Sequence, residues 1–227
     1  MQYFFRFVEN NRVFSTGCII NVMEYGQDII LFVSLCVLAG GIFLQLGWRF
    51  FPAVHSFFDD DRLLFASRTL FFLGILFIVG WYACLVYAQY AAWRDAGPPT
   101  NFLVPPYQGI GYVLWYEFIR FGLYYVFSAC AAVLLLFSFL YYNKIFGGRF
   151  LESGEPYLGA LAVFLLGNPA WGYLWVYYLA AVLVAGVLGS LITSRTLGRG
   201  ESFSLFFLWL PLAIAGIIIM QFLVVRF

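Results

Sequence analysis

Charged side chains are scarce in this chain. Asp, Glu, Lys and Arg make up 10% of the 227 residues, whereas 64% are hydrophobic and the mean hydropathy is +0.91. A soluble domain must cover its surface with polar side chains, and this chain has too few of them. Several charge-free windows exceed the roughly 18–20 residues that cross a bilayer. The composition excludes a soluble domain and predicts an integral membrane protein, with membrane lipids as its immediate partners.

Side chains that bind metals or form disulfides are also few. The four cysteines are scattered and form no C-x-x-C motif, which argues against a disulfide scaffold and a zinc site. A single histidine, His55, excludes bis-histidine haem ligation within the chain and disfavours copper and di-iron sites. The net charge of +1 indicates no attraction to nucleic acid. We therefore expect no cofactor, no metal and no nucleic-acid partner.

What the chain has in abundance is long apolar runs. They predict an all-α fold, a polytopic transmembrane helical bundle of six to seven spans located in the plasma or inner membrane. We expect an N-terminal extension over residues 1–28 and one transmembrane domain over residues 29–227. A solvated polar loop containing FFDDDR separates the first two spans. The predicted spans are approximately 29–48, 69–93, 102–118, 121–143, 156–167, 170–194 and 203–225.

Two regions allow more than one interpretation. Residues 102–118 follow a proline-rich segment, and they either cross the membrane or lie along its interface. Glu117 and Arg120, three residues apart, form either an intramembrane functional pair or an interfacial salt bridge at a turn, and we favour the salt bridge. Residues 156–194 carry no charge and are too long for one crossing. Asn168-Pro169 within them is either a broken-helix substrate site of the transporter kind or the turn of a helical hairpin, and we favour the turn because no charge accompanies it.

A sequence pattern in the second half is similar to that of a known family. ESGEPYL at residues 152–158 precedes the apolar run GALAVFLLG, then a second apolar run, the basic turn RTLGRGE, and LWLPLAIAGII. This order, over about residues 121–222, resembles the type IV prepilin peptidases, a family of membrane aspartyl proteases. That family has a G-x-G-D motif followed by Lys-Leu. Here Ser153 stands at the first glycine, Glu155 at the aspartate and Tyr157 at the lysine.

The resemblance implies a pair of catalytic carboxylates. Glu155 takes the motif position, and Asp95 in WRDAGPPTN is the nearest match to the family's other aspartate. Two such carboxylates would have to share a proton on one membrane face. If residues 102–118 do not cross, Asp95 and Glu155 end on opposite faces. The alternative is structural, because an acid beside Pro156 is typical of a helix start.

Three functions remain open at this point. The resemblance implies a divergent prepilin-peptidase-like protein that meets a pilin-like substrate, and the replaced aspartate predicts loss of normal protease activity. Whether the chain is an enzyme, as a degenerate membrane aspartyl peptidase, is left open. The alternative is a non-catalytic structural subunit of a respiratory, secretion or motility complex, with other membrane subunits as partners. A small transporter is third, because no charged residue lies deep in a predicted span.

Overall fold

The chain is all-helical wherever its structure is described. The computed structural model describes residues 16–50, 60–145, 151, 154–196 and 207–226, and no strand occurs among them. Seven α-helices lie in these ranges: α1 (Thr16–Phe50), α2 (Asp60–Asp95), α3 (Ile110–Glu117), α4 (Leu123–Ile145), α5 (Glu155–Leu165), α6 (Leu174–Thr196) and α7 (Trp209–Arg226). The predicted all-α bundle is confirmed.

Four helical segments are long and apolar enough to cross a membrane. They are Asp28–Leu46, Asp61–Asp95, Ile110–Ile145 and Leu174–Ile192. The apolar helices α5 and Trp209–Leu223 are shorter. Only 11% to 28% of each long span is buried inside the protein, so most of its apolar side chains face outward. A lipid environment accepts such a surface and water does not, which identifies a membrane protein.

Helix α5 lies at the centre of the bundle. It contacts α1, α2, α4, α6 and α7. Its residues are buried, apart from a partly buried Tyr157. Small side chains make this position possible: at Gly159 an added Cβ would lie 3.2 Å from the Trp209 indole, and Ala160 and Ala162 are fully buried. In lipid, where the hydrophobic effect does not drive helices together, such close packing holds the bundle together.

The turn predicted after α5 is present. Asn168 is buried, and its side-chain oxygen accepts a hydrogen bond of 3.0 Å from the Ala170 amide. A 3-10 turn, Pro169–Trp171, follows, and α6 starts at Leu174. An asparagine that caps its own turn, followed by a proline, ends one helix and redirects the chain into the next.

The structure joins two segments that were predicted as separate spans. The predicted spans 102–118 and 121–143 are not separate. One continuous helical run, Ile110–Ile145, contains α3, a π-helical turn at Phe118–Gly122 and α4. The prolines all precede this run, in a loop that contains the 3-10 turn Thr100–Leu103. Glu117 does not interrupt the helix because its side chain is buried against α2 instead of facing lipid.

Two further boundaries differ from the prediction. Helix α1 begins at Thr16, so the predicted extension over residues 1–28 is helical from there on, and residues 1–15 lie outside the described residues. Helix α2 begins at Asp60, within the acidic triplet predicted to be a loop. Acidic residues are favoured in a first helical turn, where the helix dipole is positive. His55 and Asp59 lie outside the described residues.

A second, smaller core lies apart from α5. Val86 of α2, Val104 of the loop and Val113 of α3 are buried together, with Tyr82, Tyr90 and Trp93 packed against them. Helix α2 has 36 residues, and a helix of that length rises about 54 Å, well beyond a hydrocarbon core of about 30 Å. The C-terminal part of α2 packs with α3, and together with the connecting loop they form the α2–α3 hairpin (residues 82–117).

Candidate functional site

Glu155, the residue at the motif position, begins the central helix. It is 1% exposed, although it is a carboxylate. Gly154 precedes it as N-cap and Pro156 occupies the first turn. This is the helix start that the sequence offered as the structural interpretation of Glu155. An acid there also faces the positive end of the helix dipole.

Trp209 is a direct partner of Glu155. Its indole Nε1 donates a hydrogen bond of 2.9 Å to Glu155 Oε1. Trp209 is itself held from two sides, because the Tyr178 hydroxyl donates to its backbone oxygen at 2.9 Å and the Phe139 ring packs edge-on at 5.4 Å. The carboxylate therefore ties the start of α5 to the start of α7 at a point where α4 and α6 also meet.

Two further polar side chains are buried at this end of the bundle. Ser67 of α2 is 1% exposed, and an added Cβ at Gly154 would lie 2.7 Å from its hydroxyl oxygen. Gln45 of α1 is 2% exposed and lies one turn beyond Gly41, which packs near Leu158. The start of α5 is therefore a buried polar site built from α1, α2, α5 and α7, and its described side chains leave almost no surface for a substrate.

Asp95, the second predicted catalytic residue, lies elsewhere. It ends α2 with its side chain 60% exposed, and Arg94 Nε donates to Asp95 Oδ1 at 2.8 Å. A second contact joins Arg94 NH2 and Asp95 Oδ2 at 3.4 Å. An exposed pair of neighbouring residues is worth little in stability. It does leave Asp95 with a partner of its own.

The structure does not bring Asp95 and Glu155 together. Gly154 packs on Ser67, and the helix rise from Ser67 to Asp95 amounts to about 42 Å. Carboxylates that share a proton lie about 3 Å apart. Glu155 therefore lies beside the N-terminal part of α2, whereas Asp95 lies at its C-terminal end, as expected for a chain in which residues 102–118 do not cross separately. This arrangement cannot run acid–base chemistry between them.

Glu117 and Arg120 do not form the predicted salt bridge. Both belong to the described part of the chain, yet Arg120 is exposed and its NH1 donates to the Tyr116 hydroxyl at 3.0 Å. Glu117 is 3% exposed and faces Gln89 of α2. Arg120 lies within the π-helical turn Phe118–Gly122, which is wider than an α-turn and changes the register that would have aligned it with Glu117.

Sequence reasoning missed the partners of both buried acids. In the sequence, Trp209 is one residue of the predicted span 203–225, and none of its sequence neighbours indicates that its indole N–H donates a hydrogen bond to an acid. Gln89 carried a detectable signal: Tyr82, Val86, Gln89 and Trp93 follow a four-three-four spacing, which places them on one face of a helix. A polar residue on an otherwise buried face needs a partner, and Glu117 is the one that α3 supplies.

The described residues contain no group of three or more His, Cys, Asp or Glu side chains that could hold a metal ion. No family model, curated protein or solved structure matches this chain. The interpretation of the site therefore depends on its own geometry and on the sequence pattern around Glu155.

Proposed function

We propose that this chain is a multi-pass protein of the plasma or inner membrane, similar to prepilin peptidases in its second half but without their proteolytic activity. The observation that carries the proposal is the buried carboxylate of Glu155, bonded to Trp209 and remote from Asp95. Glu155 stands at the motif position and supports the packing of the bundle, and Asp95, the other candidate carboxylate, is out of its reach. These two facts favour a binding or assembly role.

The order of elements supports the relationship. A long apolar helix, α4, is followed by a short apolar helix that starts at the acidic motif residue, then by α6, and finally by α7, which contains Pro211. This is the order of the family pattern over residues 121–222. A pilin-like protein with a positively charged leader is the partner that such a protein would bind without cutting.

Processing of a pilin-like substrate tests this proposal. We expect no cleavage when the wild-type chain and the substrate are co-expressed, as measured by the intact mass of the substrate. Glu155→Ala is expected to leave that result unchanged and to lower the unfolding free energy by about 1–3 kcal/mol, because the buried Trp209 N–H loses its acceptor. Glu155→Gln, which retains an acceptor oxygen, is the matched control and should lose less stability.

Cleavage by the wild type would contradict the proposal if Glu155→Ala abolished it while remaining folded. In that case the acid would act chemically, and the carboxylate that assists it would have to be sought at its own end of the bundle instead of at Asp95.

A second candidate is a non-catalytic subunit of a larger membrane complex, and helix α6 favours it. Only 11% of Leu174–Ile192 is buried, less than in any other long span of the described residues. Ala185 and Gly189 also form the small-xxx-small step that lets another helix approach closely. A partner subunit would then cover a face that lipid covers in the isolated chain.

Site-specific crosslinking distinguishes the two candidates. A photoreactive residue at Leu188, 53% exposed on α6, is expected to give one crosslinked product of defined mass in native membranes if the chain is a subunit. The same residue at Phe43, 76% exposed on α1, is the control for random encounters. Equal, diffuse labelling from both positions, with a lone monomer after mild detergent extraction, would count against the subunit.

A further inference from the structure

The α2–α3 hairpin contains a buried carboxylic acid that the proposed function does not use. Glu117 lies at the end of α3 and is 3% exposed. Acidic side chains are rarely buried to this degree without a cation, and one inside a membrane-spanning run is a candidate functional group by default. Its surroundings decide in which protonation state it is stable.

The hydrogen-bond partner of Glu117 is neutral. With its amide oriented to satisfy both neighbours, Gln89 donates to Glu117 Oε1 at 3.3 Å and accepts from Trp93 Nε1 at 2.6 Å. The Tyr82 hydroxyl, on the same face of α2, donates to the backbone oxygen of Leu114 at 2.7 Å. Helix α2 thus offers this acid one hydrogen bond, from the uncharged Gln89 amide, and no positive charge from that face.

The neighbouring cations have other hydrogen-bond partners, although Arg120 lies close enough for its charge to act on Glu117. Arg120 belongs to the same helical run, but its NH1 donates to the Tyr116 hydroxyl, and its guanidinium lies 5.3 Å from the centre of that ring. Arg94, further along α2, is exposed and pairs with Asp95. The titratable and charged groups around Glu117 are therefore Tyr82 on α2, and Tyr116 and Arg120 on its own run. None of them forms an ion pair with it within the described residues.

Burying an ionised carboxylate without an ion-pair partner costs several kcal/mol, and such a group tends to take up a proton instead. The neutral acid is compatible with the Gln89 contact, in which Oε1 accepts a hydrogen bond. The π-helical turn Phe118–Gly122 starts at the next residue. Such turns are frequent at functional sites because they interrupt the regular hydrogen-bond ladder.

We propose that Glu117 is a proton-binding site, with the acid protonated in this packed state and Gln89 as the residue that positions it. Loss of the proton creates a buried negative charge, and the cation in the same helical run is Arg120, three residues on. Release of the proton therefore favours a rearrangement at the π-helical turn that brings Arg120 from Tyr116 to the carboxylate. This site is independent of Glu155 and of the proposed function.

Carbodiimide labelling tests the site directly on the full-length chain in detergent. The hydrophobic reagent dicyclohexylcarbodiimide reacts with protonated carboxyl groups in apolar surroundings. At about pH 7, where a solvated glutamate is ionised, we expect the peptide containing Glu117 to be labelled at least ~10-fold more than the peptide containing Asp95. That ratio corresponds to about 1.4 kcal/mol. Labelling of Glu117 should fall as the pH is raised, and Glu117→Gln should abolish it.

Two further measurements keep the test decisive. Gln89→Leu removes the donor to the carboxylate and should extend labelling to higher pH, whereas a purely structural Glu117 would show no change in the pH profile. The infrared difference spectrum between the wild type and Glu117→Gln should show the carbonyl band of a protonated carboxylic acid at about pH 7. Absence of that band overturns the proposal whatever the labelling shows. If the band is present but does not change with pH, Glu117 does not exchange its proton, and that part of the proposal is contradicted.

Discussion

Replacing Leu161 by alanine is expected to lower the unfolding free energy by about 2–5 kcal/mol, toward the upper end of that range. Leu161 is fully buried in the centre of α5, and an added Cβ at Gly74 of α2 would lie 2.9 Å from its Cδ1. Because Gly74 has no side chain, α2 has nothing with which to fill the space that the truncated leucine leaves. The cavity therefore persists, and the packing lost around it is not recovered.

Denaturant titration in mixed micelles, followed by tryptophan fluorescence, measures this loss. Leu183→Ala is the matched control, because Leu183 is 68% exposed on α6 and its truncation should change stability by less than about 0.5 kcal/mol. Gly74→Ala in the Leu161→Ala background adds a methyl group to the cavity and should restore part of the stability. Equal losses for Leu161→Ala and Leu183→Ala would show that α5 is not the packing centre.

Gly167→Ala is expected to have the second large effect, a loss of about 1–3 kcal/mol through overpacking. A Cβ at this position would lie closest to Ser128 Oγ, 2.6 Å from Ser128 Cβ and 3.1 Å from the backbone oxygen of Phe164. The hydroxyl could rotate away, but Ser128 Cβ and the Phe164 oxygen are fixed to the backbone, so the helices themselves would have to move apart. Ser128 also donates a 3.2 Å hydrogen bond to Phe164 O, which that movement would stretch.

A double-mutant cycle with Ser128 separates the clash from general damage. Ser128→Gly removes the Cβ and should offset part of the effect of Gly167→Ala, so that the two losses are less than additive. Ser128→Ala removes the hydroxyl, which is the atom closest to the added methyl group, but keeps the Cβ at 2.6 Å, so it should relieve less than Ser128→Gly. Thermal unfolding of the wild type, the three single variants and the two double variants in one detergent gives the comparison. Additive losses in both combinations would place Gly167 away from Ser128.

The elements that the sequence predicted well are those set by local properties. Apolar run length predicts helices near residues 29–48, 69–93 and 121–143, because each run must satisfy its own backbone in lipid. The break at Asn168 and Pro169 also follows from local chemistry, since the asparagine caps the turn and the proline cannot continue a helix. Such features need no knowledge of neighbouring helices.

The elements that the sequence could not predict depend on contacts between distant residues. Glu117 looked like the edge of a span because a charge is costly in lipid, and its contact with the opposing Gln89 within a continuous helical run could not be read from its sequence neighbours. Pairing Asp95 with Glu155 required a knowledge of topology. The spacing of the two acids along the chain resembled the family, but their separation along α2 depends on whether residues 102–118 cross. Charge counting could not decide that.

The 11 residues of α5 bear on how the protein is made. A helix of that length rises about 16 Å, so it is too short to be recognised as an independent segment by the insertion machinery. Its buried acid would also be an obstacle to partitioning alone. We expect α5 to settle into place only after the flanking helices have entered the bilayer. If α6 or α7 were inserted slowly or incorrectly during synthesis, α5 would remain unpacked and would be a target for membrane quality-control proteases.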